Sequence, residues 1–414
     1  MVNTKAGETA DRIYRDLYQK ALFPDLWFRW LGKPLLICDP AAASPELQQF
    51  FTLRRAHWPF TMVDTEKAWH WEAAYPQPYG YLDDPKKPEQ VNVSVAQNLR
   101  RSDGKVTNMS EGNARGRSFH RGAVDEAPGA VNYGRNFQEQ WHRVFELEPP
   151  FVMITGWNEW IAGRWQRPGQ PIVFVDQYDQ EHSRDIEFAR VGHLDHYYWQ
   201  MIANIRCYKG APELPAAGGP KTIDLEAGFE QWQEVAPEFR DHVGETIPRD
   251  HAGVAGLRYV NQSGRNDLVA CKVAHDAEFL YFFLNTVAPI QPAPIPDGLW
   301  LLIDSDQNSK TGWEGYDLLV GRQAEADSKL SVEKHVSGWQ WEKLAPVDYR
   351  LEGSQLQLAV PRSVVGQTGE SGVAIDLKWV DNLQIPGDVL DFYLSGDVAP
   401  EGRFNYRFSC AAGK

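Results

Sequence analysis

Residues 151–160 combine the pattern of a buried strand with side chains that could do acid–base chemistry. Four apolar residues are followed by a glycine and then by Trp157, Asn158, Glu159 and Trp160. Tryptophan rings lower the local dielectric and can raise the pKa of a carboxyl toward that of a general acid, and sugar faces stack on such rings. We predict that Glu159 is a catalytic acid and that its three neighbours bind substrate. The alternative is a strand-end glutamate paired with Arg164 beside core tryptophans.

Glycoside cleavage needs a second carboxyl on the other side of the scissile bond. Glu72 lies in the aromatic segment 68–79, and Asp176 ends the apolar stretch 172–176. The C-terminal ends of the parallel strands of a barrel face one pocket, so Glu72 and Asp176 are the candidates for the second catalytic carboxylate. The alternative for Asp176 is a solvated position or an ion pair with Arg184.

Aromatic and histidine side chains near the same strand ends are candidates for substrate contacts. His57 and Trp58 end the stretch 51–59, and Trp71 and Tyr75 lie between positions 68 and 79. Rings of this kind serve either as sugar platforms or as ordinary core residues, and a histidine at a strand end is often an ordinary loop residue.

The elements that would position these side chains are strands alternating with helices, the pattern of parallel β/α units. We predict helices over 8–23, 136–147 and 195–209, with Ile13, Leu17 and Ala21 on the inner face of the first. Strands are predicted over 33–39, 51–59, 90–97, 151–154 and 172–176. Residues 68–79 and 101–134 are predicted as loops. A closed (β/α)₈ barrel needs eight strands, so the prediction is a partial TIM-type barrel over residues 1–210.

The second half of the chain shows a different pattern of predicted elements, with short strands and few helices. A Pro/Gly-rich linker is predicted over residues 211–221, followed by an all-β sandwich over 222–414. Short strands with turn signals between them are predicted over 271–273, 279–285, 299–303, 316–320, 329–335, 347–351, 356–360, 374–379 and 391–395. The fold class is therefore α/β plus all-β.

Two features of the predicted sandwich could bind ligands. Asp304, Asp306 and Asn308 alternate before a Gly-containing turn, a spacing of oxygen ligands that suits Ca²⁺; the alternative is a metal-free Asx-rich turn. Trp339 and Trp341 are predicted to alternate on a strand, so that both rings face one side. The two rings would either hold a sugar or fill the core.

Composition limits the possible partners. The net charge of −14 disfavours nucleic acid, and no apolar stretch is long enough for a membrane helix. The N-terminus shows no signal-peptide core. The four cysteines have neither metal nor redox spacing.

Residues 30–210 resemble the glycoside hydrolase family 99-like group, which includes WbsX-type proteins. The resemblance rests on residues 154–160 and is supported by 33–36, 134–141 and 174–187. It implies a (β/α)₈ barrel that is incomplete at its N-terminal side and endo-acting glycosidase chemistry on mannose-type glycans. The family's two catalytic glutamates map to Glu159 and to Ala162, which has no carboxyl.

Residues 222–410 resemble the carbohydrate-binding module family 9-like domain. The matching segments are 264–267, 301–306, 311–317, 378–382 and 396–397. This resemblance implies a β-sandwich, often with bound Ca²⁺, that holds sugar ends between aromatic rings.

The resulting hypothesis is a glycoside hydrolase with an appended sugar-binding domain, which requires no cofactor for catalysis. The alternative is a non-catalytic glycan-binding or scaffold protein, or an inactive fragment, because Ala162 and the missing strands leave the family's machinery incomplete. Exposed edges of an incomplete barrel also predict self-association. The first resemblance implies an exported protein, whereas no signal is found, so the compartment stays open.

Overall fold

The computed structural model describes residues 1–2, 4–57, 62–159, 163–253, 256–290, 298–325, 329–368 and 372–411. The chain forms two compact units, Met1–Ala211 and Pro212–Lys414. They are called the N-terminal and the C-terminal unit below.

The N-terminal unit is built on five strands that run parallel in chain order. These strands are Lys33–Ile37, Thr52–His57, Ala68–His70, Pro88–Val93 and Phe151–Ile154. The first three pair in succession, and the last two pair with each other. The side-chain amide of Gln90 bridges the two groups, since it accepts from the backbone N–H of His70 at 2.7 Å and donates to its carbonyl at 2.8 Å. The result is a half-barrel sheet.

Two of the predicted barrel elements were wrong. Residues 68–70, predicted as part of a loop, form a strand because all three side chains are buried. The stretch 172–176 contributes only Val173–Phe174, which pairs antiparallel with Arg164–Trp165. It forms a short hairpin because its neighbour Trp165 is largely exposed and offers no core for a barrel strand.

Helices cover one face of this sheet. Arg135–Leu147 buries Phe137, Trp141 and Val144 in one cluster with Val91 and Val93, which confirms the predicted helix. The predicted helix over 8–23 is shorter: it runs over Ala6–Ile13 and continues as a wider turn to Tyr18. Ala21 is exposed with a φ of 47°, a left-handed conformation that a helix cannot contain.

The remaining elements of this unit are short. The other helices are Pro45–Phe50 and His196–Lys209, with single turns at Pro24–Leu26, Pro40–Ala42, Met109–Glu111 and Ala130–Asn132. The other strands are Arg29–Trp30, Thr65–Glu66, Gly80–Tyr81, Gln97–Arg100, Ala114–Arg115, Phe119–His120 and Ala123–Val124.

The C-terminal unit is a β-sandwich, as predicted. One sheet contains Glu238–Arg240, Leu268–His275, Phe279–Thr286 and Gln355–Pro361; the other contains Lys329–Ser337, Leu318–Glu325, Leu299–Asp304, Val373–Asp381, Asp397–Ala399 and Tyr406–Cys410. The 13-residue strand Gln340–Glu352 belongs to both, because it pairs with Lys329–Ser337 along most of its length and with Gln355–Pro361 at its end. Alternate apolar residues of the two sheets, among them Phe282, Leu301 and Ile375, form the core.

The smaller elements of the C-terminal unit are a hairpin, a short helix and two turns. They are Arg249–Ala252 with Arg258–Asn261, Arg362–Val365, Phe229–Trp232 and Val389–Tyr393. The strand predicted over 391–395 was wrong. The Asp391 carboxylate accepts the backbone N–H groups of Gln384 and Ile385, and these bonds hold the segment as a turn.

Candidate functional site

Arg184 gathers the three predicted catalytic carboxylates at one place in the N-terminal unit. Its Nη1 lies 2.8 Å from Asp176, 3.2 Å from Glu72 and 3.8 Å from Glu159. The guanidinium is buried, so its charge acts on all three with little screening by water. The pair between Asp176 and Arg184, an alternative in the sequence prediction, is present. Glu159 approaches this arginine rather than Arg164, which lies exposed on the hairpin.

Glu159 is the most exposed of the three carboxyl groups. It follows the end of the strand Phe151–Ile154, and its side chain is 34% exposed. Burial, together with a hydrogen bond and the negative charge of Asp176, raises the pKa of Glu159 to about 7. Two carboxyl groups in hydrogen-bond contact share a proton, because both cannot ionise cheaply at that distance. Glu159 is therefore a carboxyl that holds a proton near neutral pH and remains accessible from outside.

Glu72 is placed differently from the other two carboxylates. Its side chain is only 1% exposed, and its Oε1 accepts the backbone N–H of Asn98 at 3.1 Å. Burial raises the pKa of Glu72, while Arg184 opposes that effect. Glu72 thus supports Arg184 from the inside and does not face solvent in this structure.

Asp185 positions the backbone of Glu159, a role that the sequence analysis did not predict. Its Oδ1 accepts the Glu159 backbone N–H at 2.9 Å, and burial raises the pKa of Asp185 to about 6. The segment is also fixed by the Ile186 N–H, which donates to the Gly156 carbonyl at 2.8 Å. The sequence shows Asp185 as one of several acids between residues 176 and 187 and carries no signal that it contacts Glu159.

Trp157 and Asn158 lie on the outside of the site. The Trp157 ring is 46% exposed and stands edge-on to Tyr198, with 5.9 Å between ring centroids. The Asn158 amide donates to Glu187 at 3.0 Å. Two other predicted contacts, Trp160 and Trp58, lie outside the described residues.

The remaining predicted contacts of the N-terminal unit are only partly gathered at this site. The Trp71 ring lies against the Arg184 guanidinium at 5.8 Å, so Trp71 belongs to the cluster. Tyr75 is 39% exposed. His57 is half-buried and packs on His70, with ring centroids 4.7 Å apart. Burial lowers the pKa of His57, which favours the neutral ring.

In the predicted cation loop of the C-terminal unit, Asp317 takes the place of Asn308 as the third possible ligand. Carboxylate oxygens of Asp304, Asp306 and Asp317 lie within 4.8 Å of one another. The side-chain oxygen of Asn308 instead accepts the backbone N–H of Lys310 at 3.2 Å. The backbone N–H of Asn308 donates to the Asp306 carboxylate at 3.0 Å. Burial raises the pKa of Asp304 to about 6.

Trp339 and Trp341 contact each other rather than forming parallel walls. Their centroids are 5.4 Å apart and their planes meet at 82°. Trp339 lies in the turn before the strand Gln340–Glu352 and packs edge-on against Trp313 at 4.5 Å. Both rings are half-buried. Trp339 and Trp341 therefore form one partly exposed aromatic surface and not two parallel rings that could hold a sugar between them.

Comparison with solved structures gives distant similarity, and comparison with protein families and curated proteins gives none. The chain is similar to a solved carbohydrate-binding module family 9 domain from Caldicellulosiruptor kristjanssonii in complex with glucose, with 12% identity and a TM-score of 0.24 over 39% of this chain and 74% of that chain. A similarity this distant carries no argument about function, which rests on the residues themselves. No helix among the described residues is long and apolar enough to cross a membrane.

Proposed function

We propose that the N-terminal unit cleaves glycosidic bonds and that Glu159 donates the proton to the leaving oxygen. The observation that carries this proposal is a partly exposed carboxyl whose pKa is raised to about 7, beside the exposed ring of Trp157. A general acid works best when its pKa lies near the working pH. Trp157 would stack on a sugar face, and the Asn158 amide would donate to a hydroxyl.

The partner carboxylates would have separate roles. Asp176 keeps the proton on Glu159 in the free protein, and Arg184 places one positive charge against both Asp176 and Glu72. Glu72 and Glu159 contact the same Arg184 nitrogen at 3.2 Å and 3.8 Å, and the sum of these distances is the upper limit on their separation. That limit is compatible with the roughly 5–9.5 Å that separates the carboxyls of retaining and inverting enzymes. The half-barrel would supply part of a TIM-type barrel.

A second candidate function is glycan binding without turnover. It is favoured by two observations: Asp176 touches Glu159 instead of facing it across a bond, and Glu72 is sealed from solvent. In that case Glu159 would act as a hydrogen-bond donor to a sugar hydroxyl.

The C-terminal unit would bind carbohydrate at the surface of Trp339 and Trp341. We propose Ca²⁺ for the neighbouring loop, held by Asp304, Asp306 and Asp317. Carboxylate oxygens are the ligands that this hard cation prefers, and the ion would fix the loop without taking part in catalysis.

One experiment separates these functions. Reducing-end release from a panel of mannans, glucans and host-type glycans is measured for the wild type, for Glu159→Gln and for Glu126→Gln, an exposed glutamate that serves as the matched control. Binding of the same glycans is measured by calorimetry. We expect release that is lost by a factor of about 10² or more in Glu159→Gln alone, with binding retained.

Other outcomes lead to other conclusions. Release that is unchanged in Glu159→Gln excludes Glu159 as the acid. Binding without release from any glycan supports the second candidate. Binding that survives in Glu159→Gln and disappears in Trp341→Ala belongs to the C-terminal unit, and binding that is unaffected by Trp341→Ala removes that surface from consideration.

A further inference from the structure

Three acids of the C-terminal unit meet at a place that none of the proposals above uses. Asp241 directly follows the strand Glu238–Arg240, and Glu245 lies in the loop after it. Asp397 begins the strand Asp397–Ala399, which pairs with the end of Val373–Asp381. Two segments distant in sequence therefore bring their carboxylates together, whereas the loop at Asp304 takes all of its acids from one local turn.

The three carboxylates are close and poorly satisfied. One oxygen from each lies within 4.8 Å of the other two. Asp397 is only 4% exposed. Its Oδ2 accepts the backbone N–H of Leu268 at 2.5 Å, whereas its Oδ1 is buried and receives no N–H or O–H donor among the described residues, and the carboxyl groups of Asp397 and Glu245 contact each other. Oδ2 of Asp241 and both oxygens of Glu245 are likewise buried without such a donor. Buried polar atoms almost always have partners, so this group of oxygens indicates a missing positive ligand.

The nearby protein charges do not neutralise the cluster. The buried cation Lys378 acts on Asp241 and Asp397 through space, while its ammonium donates to the Pro400 carbonyl. Glu401, at the surface, adds further negative charge. The carboxylates therefore outnumber the nearby positive charges, and a divalent cation would offset part of that excess.

We propose that Asp241, Glu245 and Asp397 bind a divalent cation of the size of Ca²⁺. Calcium ligands lie at about 2.3–2.6 Å from the ion, so oxygens on opposite sides of its sphere are roughly 5 Å apart, which matches the arrangement of the three acids. A pocket of about 110 Å³ opens beside them and is lined by Glu245, Ser263, Asp397 and Glu401. This pocket would give the ion access from solvent and would leave room for water molecules that complete its shell. The ion would tie the segment after Arg240 to the strand that begins at Asp397.

Protonation is the competing explanation for the same geometry. Burial raises the pKa of Asp241 to about 7 and that of Asp397 to about 8, so shared protons could neutralise the cluster without metal. The two explanations differ at a pH above these values, where a proton-neutralised cluster binds no cation and a cation site binds one more tightly.

The test uses the full chain, freed of metal with a chelator and titrated with Ca²⁺ in a calorimeter at about pH 9, above the raised pKa values of both aspartates. All variants carry Asp306→Asn, which disables the loop at Asp304. Glu245→Gln removes one ligand of the proposed site while keeping its shape, and Glu278→Gln changes an exposed glutamate of the same unit as the control. Asp241→Asn is the second variant, used if Glu245→Gln does not fold as judged by circular dichroism in chelator.

We expect one Ca²⁺ to bind the Asp306→Asn protein and the Glu278→Gln control with equal affinity. Glu245→Gln or Asp241→Asn should weaken that binding by about ten-fold or more, because ligand charge sets the affinity of such sites. The proposal is overturned if the Asp306→Asn protein binds no Ca²⁺, or if neither substitution changes the affinity.

Discussion

The pair formed by Arg54 and Glu89 gives the sharpest stability prediction for the N-terminal unit. Arg54 Nε donates to Glu89 Oε2 at 2.7 Å and its Nη2 to Oε1 at 2.5 Å. The indole N–H groups of Trp30 and Trp69 add one donor to each oxygen, at 2.7 Å and 2.8 Å. The Arg54 and Glu89 side chains are 4% and 7% exposed. One carboxylate thus satisfies four donors inside the half-barrel.

Replacing Glu89 by Leu removes the acceptor of all four donors at once. The guanidinium of Arg54 would stay buried without a counter-charge, a situation that costs roughly 3–5 kcal/mol. The double variant Arg54→Met, Glu89→Leu removes both charges and leaves only the two indoles unpaired, which costs about 1 kcal/mol each. Because the two indoles are unpaired in both variants, the double variant should be more stable than Glu89→Leu by the cost of the unpaired buried charge, roughly 3–5 kcal/mol.

Urea unfolding monitored by tryptophan fluorescence measures these changes, since Trp30 and Trp69 touch the substituted group. The matched control is Asp103→Asn. Asp103 is held by the same two-pronged geometry, with Arg100 Nε at 2.8 Å and Nη2 at 2.7 Å, but both side chains are more than a third exposed. An exposed pair of this kind contributes only about 0–1 kcal/mol. A loss below about 1 kcal/mol in Glu89→Leu, or a double variant as unstable as the sum of the single ones, would refute the reasoning.

Two further predictions concern the site and the C-terminal unit. Gly156→Ala should lower the free energy of unfolding by about 1–3 kcal/mol and impair the function of Glu159, because Gly156 has a φ of 86° and an added Cβ would overlap the Arg184 carbonyl. Gly169→Ala is the control, since Gly169 has a φ of 73° but lies in open space. Equal losses in both variants would contradict the steric explanation. In chelator, the thermal stability of the C-terminal unit should fall as the pH rises from about 5 to about 7. The raised pKa values of Asp241 and Asp397 make the folded state hold protons that the unfolded state has released. Excess Ca²⁺ should reduce that fall, and a rise in stability over this pH range would contradict the prediction.

The sequence predicts elements well where one pattern decides the structure. The alternation that includes Val91 and Val93 and the helical spacing of Phe137 and Trp141 each describe one buried face, and the structure confirms both. The strand Ala68–His70 could not be recognised, because three residues with two aromatic side chains resemble a loop until their burial is known.

The candidate site was predictable in its residue types but not in its contacts. A strand-end glutamate beside tryptophan identifies Glu159, whereas the position of Arg184 between Glu72 and Asp176 depends on three segments that only the fold brings together. The same limit applies to Asp241 and Asp397. Neither acid has a neighbour in sequence that indicates a ligand, and their proximity arises from the closure of the sandwich.

The strand Gln340–Glu352, shared by both sheets of the sandwich, bears on how this unit comes apart. Residues 340–348 form a ladder with one sheet, and residues 349–352 form a ladder with the other. Neither sheet can detach while this strand keeps its pairs, so separation of the layers requires breaking main-chain hydrogen bonds as well as exposing the core. The two layers therefore unfold as one cooperative unit, and the amide hydrogens of both should exchange with solvent through a common opening.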